Sequence, residues 1–480
     1  MDLNELKPKI VWNLFNQISK IPRQSKKEDK IREWVKNWAI LNNIQFKEDK
    51  IGNLLLSQKA SIGCEKYPGI TLQAHLDMVA QKVTISNHNF DTDPIPVLVK
   101  TDYVTADGTT LGADNGIGMA LALAALVDDS FKHGSIEVIL TVDEETGLTG
   151  AFGLEKGFFK YKYLLNLDSE EEGEITISAA GGGDTKFVLP VTYSTKPSHQ
   201  GYKIEISGLQ GGHSGIDINK PRLNAIKLIF EGLMNIRCDT DLWLHDIFGG
   251  NAHNAIPRDA TAEFLIPKSR KLEAMKSFQE WEKVIEGYRE KEASISVEIK
   301  ELPLNKGIDQ TNKILSLIDE IPHGPMTMSK DIPGLVETSN NLAIIKKNKN
   351  TIIIDSNTRS SITQSLKQVH SDLKTLGEKY SAEISHNSIF PGWKPSLDSP
   401  FLKLVTEEYE VLLKKKIKLK AIHAGLECGL FVGIDPDLQI VSIGPTIENA
   451  HSPQERVYIN SVDHIWQLIK QILSKMDRLI

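Results

Sequence analysis

Between residues 6 and 21, apolar side chains recur at the three- and four-residue spacing of a helix buried along one side. After a basic turn, the same spacing predicts a second helix over 28–41. Short apolar runs at 51–56 and 70–76 read as strands, an Ala- and Leu-rich stretch at 116–127 as a long helix, and 135–142 as another strand. Strands alternating with helices predict an α/β layer structure. After the glycines at 181–183 a second series begins. It has strands at 187–191 and 201–207, an amphipathic helix opened by Pro221 and carried through Leu223, Ile226, Ile229, Phe230 and Leu233, a helix at 275–289, and strands at 293–299 and 351–356. The stretch 390–400 holds three prolines and reads as a linker back to the first series.

This order predicts one α/β domain interrupted by an inserted α+β domain. The boundaries are 1–184 for the first part of the outer domain, 185–396 for the insertion, and 397–480 for the return. A chain of 480 residues exceeds what one hydrophobic core usually organises, which agrees with two domains. Apolar residues at 40% and charged residues at 25% are ordinary for a soluble globular protein.

A formal net charge of -7 gives no electrostatic reason to expect nucleic acid or an anionic membrane as partner. The basic cluster 414–420 lies in an apolar-periodic stretch and reads as a solvated helix face. Cys64, Cys238 and Cys428 form no CxxC pair, so neither a thiolate zinc site nor a disulfide framework is expected. With no leader-like N-terminus and no run of 18 apolar residues, a cytoplasmic location is expected.

The candidate chemistry gathers at predicted strand ends, where α/β sheets place their ligand sites. His75 and Asp77 stand two apart, so in a strand they face one side, and Asp77 could accept from the imidazole of a metal-binding His75. Asp114 sits among Gly112, Gly116 and Gly118 just before the Ala-rich helix, where it either bridges two cations or caps the helix. Asp143, Glu144 and Glu145 follow one apolar strand and Asp168 another. Adjacent acids repel unless cations compensate them or solvent screens them in a loop. Together the clusters describe a carboxylate-rich site completed by histidines, with ligand types that suit zinc, or manganese or cobalt.

In order, His75-x-Asp77, Gly112-Ala113-Asp114-Asn115-Gly116, Asp143-Glu144-Glu145-Thr146-Gly147 and Asp168 resemble the signature of the M20 family of metallopeptidases. The likeness extends to Gly211-Gly212-His213-Ser214-Gly215, 251–257 with Asn254, 423–429 with His423 and Glu427, and Ala450-His451-Ser452-Pro453. It resembles the aminoacyl-histidine dipeptidase branch most and covers nearly the whole chain. It implies a zinc-peptidase catalytic domain with an inserted lid, two divalent metal ions per subunit, a small peptide substrate and a homodimer.

By the same resemblance Asp114 bridges the metals, with His75 and Asp168 on one and Glu145 and His451 on the other. Asp77 orients His75, and Glu144 is the general base. His213 donates to the developing oxyanion in a neighbouring subunit's site. Asn254 and Arg359 are candidates for the substrate carboxylate, for which a guanidinium fork is suited. His423 and Glu427 lie four apart and would share a helix face; Glu427 is the candidate for the substrate's free amine. The competing functions are an aminotripeptidase, a deacylase of N-acyl amino acids, and a catalytically silent binding module. A serine hydrolase is disfavoured, since Ser214 lies in no GxSxG elbow.

Overall fold

The protein is described here as a computed structural model covering residues 2–480. The chain divides into two units. One runs up to Ser178 and resumes over Lys394–Ala421 and Glu427–Ile480; the other comprises Ala179–Trp393 and Ile422–Leu426.

The first unit is built on an eight-stranded sheet in the order Gln45–Glu48, Leu54–Gln58, Ile136–Thr141, Ile70–His75, Tyr163–Asn166, Gln439–Ser442, Glu174–Ala179 and Lys418–Ile422. The four strands at its middle, from Ile136–Thr141 to Gln439–Ser442, run parallel. Ile70 pairs with both Ile136 and Tyr163, and Ile440 with Leu164. Ile70–His75 and Ile136–Thr141 are buried at every position, which is why they read as unbroken apolar runs rather than as alternation. Because neighbours are parallel, their C-terminal ends open at one edge of the sheet. The chain leaves that edge through His75, Thr141 and Asn166 into the acid-bearing turns.

Helix Ala113–Val127 is apolar on nearly every side and packs against helices Lys9–Ile18 and Ile459–Ser474 and against strand Ile70–His75. Trp12 and Phe15 on the first of these are fully buried, each adding about 1.5–3 kcal/mol of burial free energy. A small sheet joins Val97–Val99, Tyr103–Ala106, Arg456–Tyr458 and Ile447–Glu448. Its last two strands are antiparallel, so the turn carrying His451 is a hairpin tip beside the strand that leads to Asp114.

The second unit carries a nine-stranded sheet whose pairings are all antiparallel, running from Ser296–Leu302 at one edge to Glu383–Phe390 at the other. Helices Ala225–Asp239, Lys271–Glu286 and Thr363–Lys379 pack on it around a core that includes Phe187, Tyr202, Phe264, Trp281 and Ile354. Strands gathered with helices in this way give the expected α+β character.

Several local expectations are corrected. The glycines at 181–183 do not precede a strand but begin one, Gly181–Pro190. The Pro221 helix starts only at Ala225, because Asn224 caps it, accepting from the N–H groups of Ile226 and Lys227. The basic cluster is no helix face: Lys414 takes a left-handed φ of 53° at the end of helix Pro400–Leu413, and Lys418 and Lys420 stand on a strand, paired with Glu174. His423 and Glu427 share no helix, since Glu427 is the first residue of Glu427–Ile434 and His423 lies in the bend before it. Among the described residues no helix is long and apolar enough to cross a membrane.

Candidate metal centre

Three turns at the sheet edge, the turn that opens helix Ala113–Val127 and the hairpin tip bring five side chains together in the first unit. His75 Nε2 lies 3.1 Å from Asp114 Oδ1 and 3.4 Å from Asp168 Oδ1. His451 Nε2 lies 3.1 Å from Asp114 Oδ2 and 3.0 Å from Glu145 Oε2. Each oxygen of Asp114 thus faces the Nε2 of a different imidazole, and each of these nitrogens faces one further carboxylate. His75, Asp114 and Glu145 each offer a ligand atom within 4.8 Å of the others, a spacing that could hold a metal ion.

The backbone sets this arrangement locally. Asp143 at φ 50° turns the chain out of its strand into the short helix Glu144–Gly147, and its carboxylate accepts from the hydroxyls of Thr146 and Thr149. Asp77 Oδ1 and Oδ2 accept from the N–H groups of Glu144 and Glu145, at 3.0 and 3.3 Å, while His75 Nδ1 stands 3.4 Å from Asp77 Oδ1. Asp77 therefore ties the His75 turn to the two glutamates. Asn115 donates from Nδ2 to Asp168 and to the carbonyl of Leu167, placing Asp168 beside Asp114.

Electrostatically the centre is short of positive charge. Burial pushes the Glu144 carboxyl well up, reinforced by Asp168, Glu427 and Glu145 against the pull of His75. Burial and then Asp114 raise Glu145, and burial likewise raises Asp168. Hydrogen bonds that its imidazole donates to Asp114 and Glu145 lift His451 to about 11. Burial opposes the charging of His75, yet Asp168, Asp114 and Asp77 raise it well above the ordinary imidazole value. Burial also opposes the ionisation of Asp77, but His75 and the Glu144 N–H hold its carboxyl at about 2. One carboxylate oxygen, Glu145 Oε1, is buried without a hydrogen-bond partner. Hard and borderline oxygen and nitrogen donors, crowded negative charge and an unpartnered carboxylate oxygen fit divalent cations.

One residue further down the same sides of these strands lies a buried polar layer. Glu427, 1% exposed, accepts from Gln73 Nε2 at 2.6 Å and from Thr141 Oγ1 at 2.8 Å, and its Oε1 has no partner. Asn166 donates to Gln73 and accepts from Ser442 and from the N–H of Asp168. Gln73, Thr141 and Asn166 each stand two positions before a residue of the acid-bearing turns, so the layer supports them from beneath. None of it was foreseen except Glu427; the period-two spacing from His75 and Asp168 was the available signal.

The remaining candidates lie in the second unit. His213 Nδ1 accepts the N–H groups of Gly215 and Ile216, both at 3.1 Å. Burial, then Arg359, pushes its pKa down to about 4, so at neutral pH its proton sits on Nε2 and that nitrogen is a donor. Arg359 is 8% exposed and donates from Nε to Ser214 Oγ, whose hydroxyl donates to Asn357. Asp184 accepts from Asn357 and pairs with His253 at 3.1 Å. Asn254 is exposed, and its carbonyl accepts the N–H of Ser214 at 2.8 Å. His423 is buried, bonded through Nε2 to Ser339 Oγ at 2.7 Å, and burial pushes its pKa down to about 3.

Comparison with known proteins bears out the resemblance carried by the motifs. The chain is 38% identical over 481 residues, 99% of each protein, to the cytosol non-specific dipeptidase of Escherichia coli. Aminoacylhistidine dipeptidase from Vibrio alginolyticus superposes with a TM-score of 0.92 at 37% identity, over 98% of each chain. The aminopeptidase PepT of Bacillus cereus, 16% identical, shares the fold with a TM-score of 0.58 over 98% of this chain and 99% of that one. Residues 71–475 match the model of Peptidase family M20/M25/M40. With its fold, its motifs and almost its full length accounted for in this way, the chain belongs to peptidase family M20/M25/M40.

Proposed function

We propose that the protein is a dipeptidase that holds two divalent metal ions, zinc before cobalt or manganese, and cleaves unblocked dipeptides, Xaa-His pairs among them. The observation that carries this reading is the division of Asp114: one oxygen toward His75 and Asp168, the other toward His451 and Glu145. A carboxylate shared in this way suits two ions side by side, one held by each histidine–carboxylate pair.

Such ions, when bound, acidify a water and polarise the scissile carbonyl. Glu144 takes the proton from the attacking water and delivers it to the leaving amine. Glu145 serves as ligand and is not free for that role. Asp77, in contact with His75 and with the backbone of both glutamates, keeps the imidazole oriented and the base in register.

For the second unit we propose a lid and dimerisation role. His213, with Nε2 as donor, stabilises the oxyanion, and Arg359 with Asn254 receives the substrate carboxylate. His423 and Glu427 remain candidates for recognition, Glu427 through the substrate's amine. The protein is expected to act in the cytoplasm, in line with the cytosolic relative, and to do so as a homodimer.

The test is a side-by-side assay of dipeptides, tripeptides and N-acetyl amino acids. Dipeptides with a free amine should be the preferred substrates. Cleavage of N-acetyl amino acids with free dipeptides left intact would replace this reading with a deacylase.

A further inference from the structure

Two charged residues that belong to none of the metal-site motifs are buried between the segments that present the ligands. Glu455 is 2% exposed, and its carboxylate accepts four consecutive backbone N–H groups: Leu111 and Gly112 on Oε2, at 2.7 and 2.9 Å, and Ala113 and Asp114 on Oε1, at 2.7 and 3.2 Å. It stands four residues after His451, and its own carbonyl accepts from Thr105 Oγ1 at 2.7 Å. Arg23, also 2% exposed, donates from Nη1 to the carbonyls of Leu76 and Asp77, at 2.9 and 2.7 Å, and from Nη2 to the carbonyl of Gly112.

The peptide units around Gly112 are therefore gripped on both sides, through their N–H groups by an anion and through a carbonyl by a cation. Charged partners make these the stronger class of hydrogen bond, and burial removes the competition of water. The glycines of the turn are part of the same construction. A Cβ on Gly112 or on Gly116 would run into Arg23 Nη2, so both positions must lack a side chain for the guanidinium to reach its carbonyls.

We propose that Arg23 and Glu455 are positioning residues that set the spacing of the two halves of the metal centre, Arg23 joining the His75 turn to the Asp114 turn and Glu455 joining the Asp114 turn to the His451 hairpin. The inference rests on the proposed two-ion site. Neither side chain reaches the ligand atoms; each fixes the backbone that presents them. Asp114 serves both halves only if its turn is held against both neighbours at once, and a helix cap alone would need no link to His451. Each link serves one half, so the two should fail separately. Losing the Glu455 link should weaken the ion on His451 and Glu145, and losing the Arg23 link the ion on His75 and Asp168.

The test is calorimetric titration of the metal-free full-length protein with Zn2+, with hydrogen–deuterium exchange and steady-state kinetics alongside. Wild type should show two binding events; one event or none would refute the two-ion site itself. Glu455→Gln keeps the shape but loses the charge and one acceptor oxygen. It should weaken one binding event by about ten- to a hundredfold, leave the other within about threefold, and speed amide exchange over 111–114. Its kcat should fall at limiting metal and recover with excess metal, with KM unchanged.

Arg23→Lys, which keeps the charge but loses the fork, should weaken the other event. If Glu455→Gln does not fold, Glu455→Asp replaces it, with the carboxylate drawn back by about 1.5 Å and the same selective loss expected. Two wild-type-like affinities in the Glu455 variant, or equal weakening of both events, would overturn the proposal and leave Glu455 as a helix cap.

Discussion

Glu427→Gln isolates how the centre is stabilised without metal. Burial, the largest influence, raises the Glu427 carboxyl from an ordinary 4.5 to about 8; Asp168 and Asp77 add to the rise, and His75 and Thr141 oppose it. A group whose pKa is higher in the folded chain than in the unfolded one binds its proton more tightly when folded. Its contribution is complete below pH 4.5 and disappears as pH rises through 8. The interval is about 3.5 pH units, and at about 1.36 kcal/mol each it amounts to about 5 kcal/mol. Glutamine removes this titration while its amide oxygen can still accept from Gln73 and Thr141, and its NH2 takes the place of the unpartnered Oε1.

In EDTA, urea unfolding of the two proteins should give similar stabilities near pH 4.5. By pH 8 the variant should be the more stable, by up to about 5 kcal/mol. His451, raised to about 11, adds a loss of the same sign above its ordinary 6.5 in both proteins, so metal-free wild type should weaken steadily from pH 5 to 8. Asp77, held at about 2, works in the opposite sense, but only below about pH 4. Zn2+ should flatten the wild-type profile, since nearby cations favour the ionised acids. Parallel pH profiles for the two metal-free proteins would refute the reasoning.

Three further outcomes are expected. Glu144→Gln should lower kcat by about 10²- to 10⁴-fold with both metals retained, read by kinetics and metal analysis on the same sample. Arg359→Lys, which loses the planar fork, should raise KM for dipeptides while leaving dipeptide amides little changed; equal effects on both would remove Arg359 from carboxylate recognition. Gly116→Ala places a methyl against Arg23 Nη2 and Phe15 Cε2, so it should destabilise the fold by about 1–3 kcal/mol in denaturant unfolding.

The sequence made the sheet legible where strands are buried on both faces. Ile70–His75 and Ile136–Thr141 appear as apolar runs with acids at their ends, because parallel strands deliver their turns to one edge. The same physics made His75, Asp114, Glu145 and Asp168 visible as strand-end or pre-helix acids and imidazole. His451 was visible only by resemblance, since a hairpin tip has no periodicity to mark it. Arg23 and Glu455 were hidden because a buried charge looks like a surface charge in one dimension; only the distant backbone groups that satisfy it reveal the difference. Spacing misled at His423 and Glu427, where four residues imply one helical face but the helix begins at Glu427. It misled again at 414–420, where the left-handed Lys414 ends the helix.

The most direct test of the central claim is metal analysis of the purified protein joined to its dipeptidase activity. The protein should carry two divalent ions per chain, and its hydrolysis of free dipeptides should vanish on chelation and recover in step with metal returned. Full activity in the presence of chelator, with no bound metal, would contradict that claim.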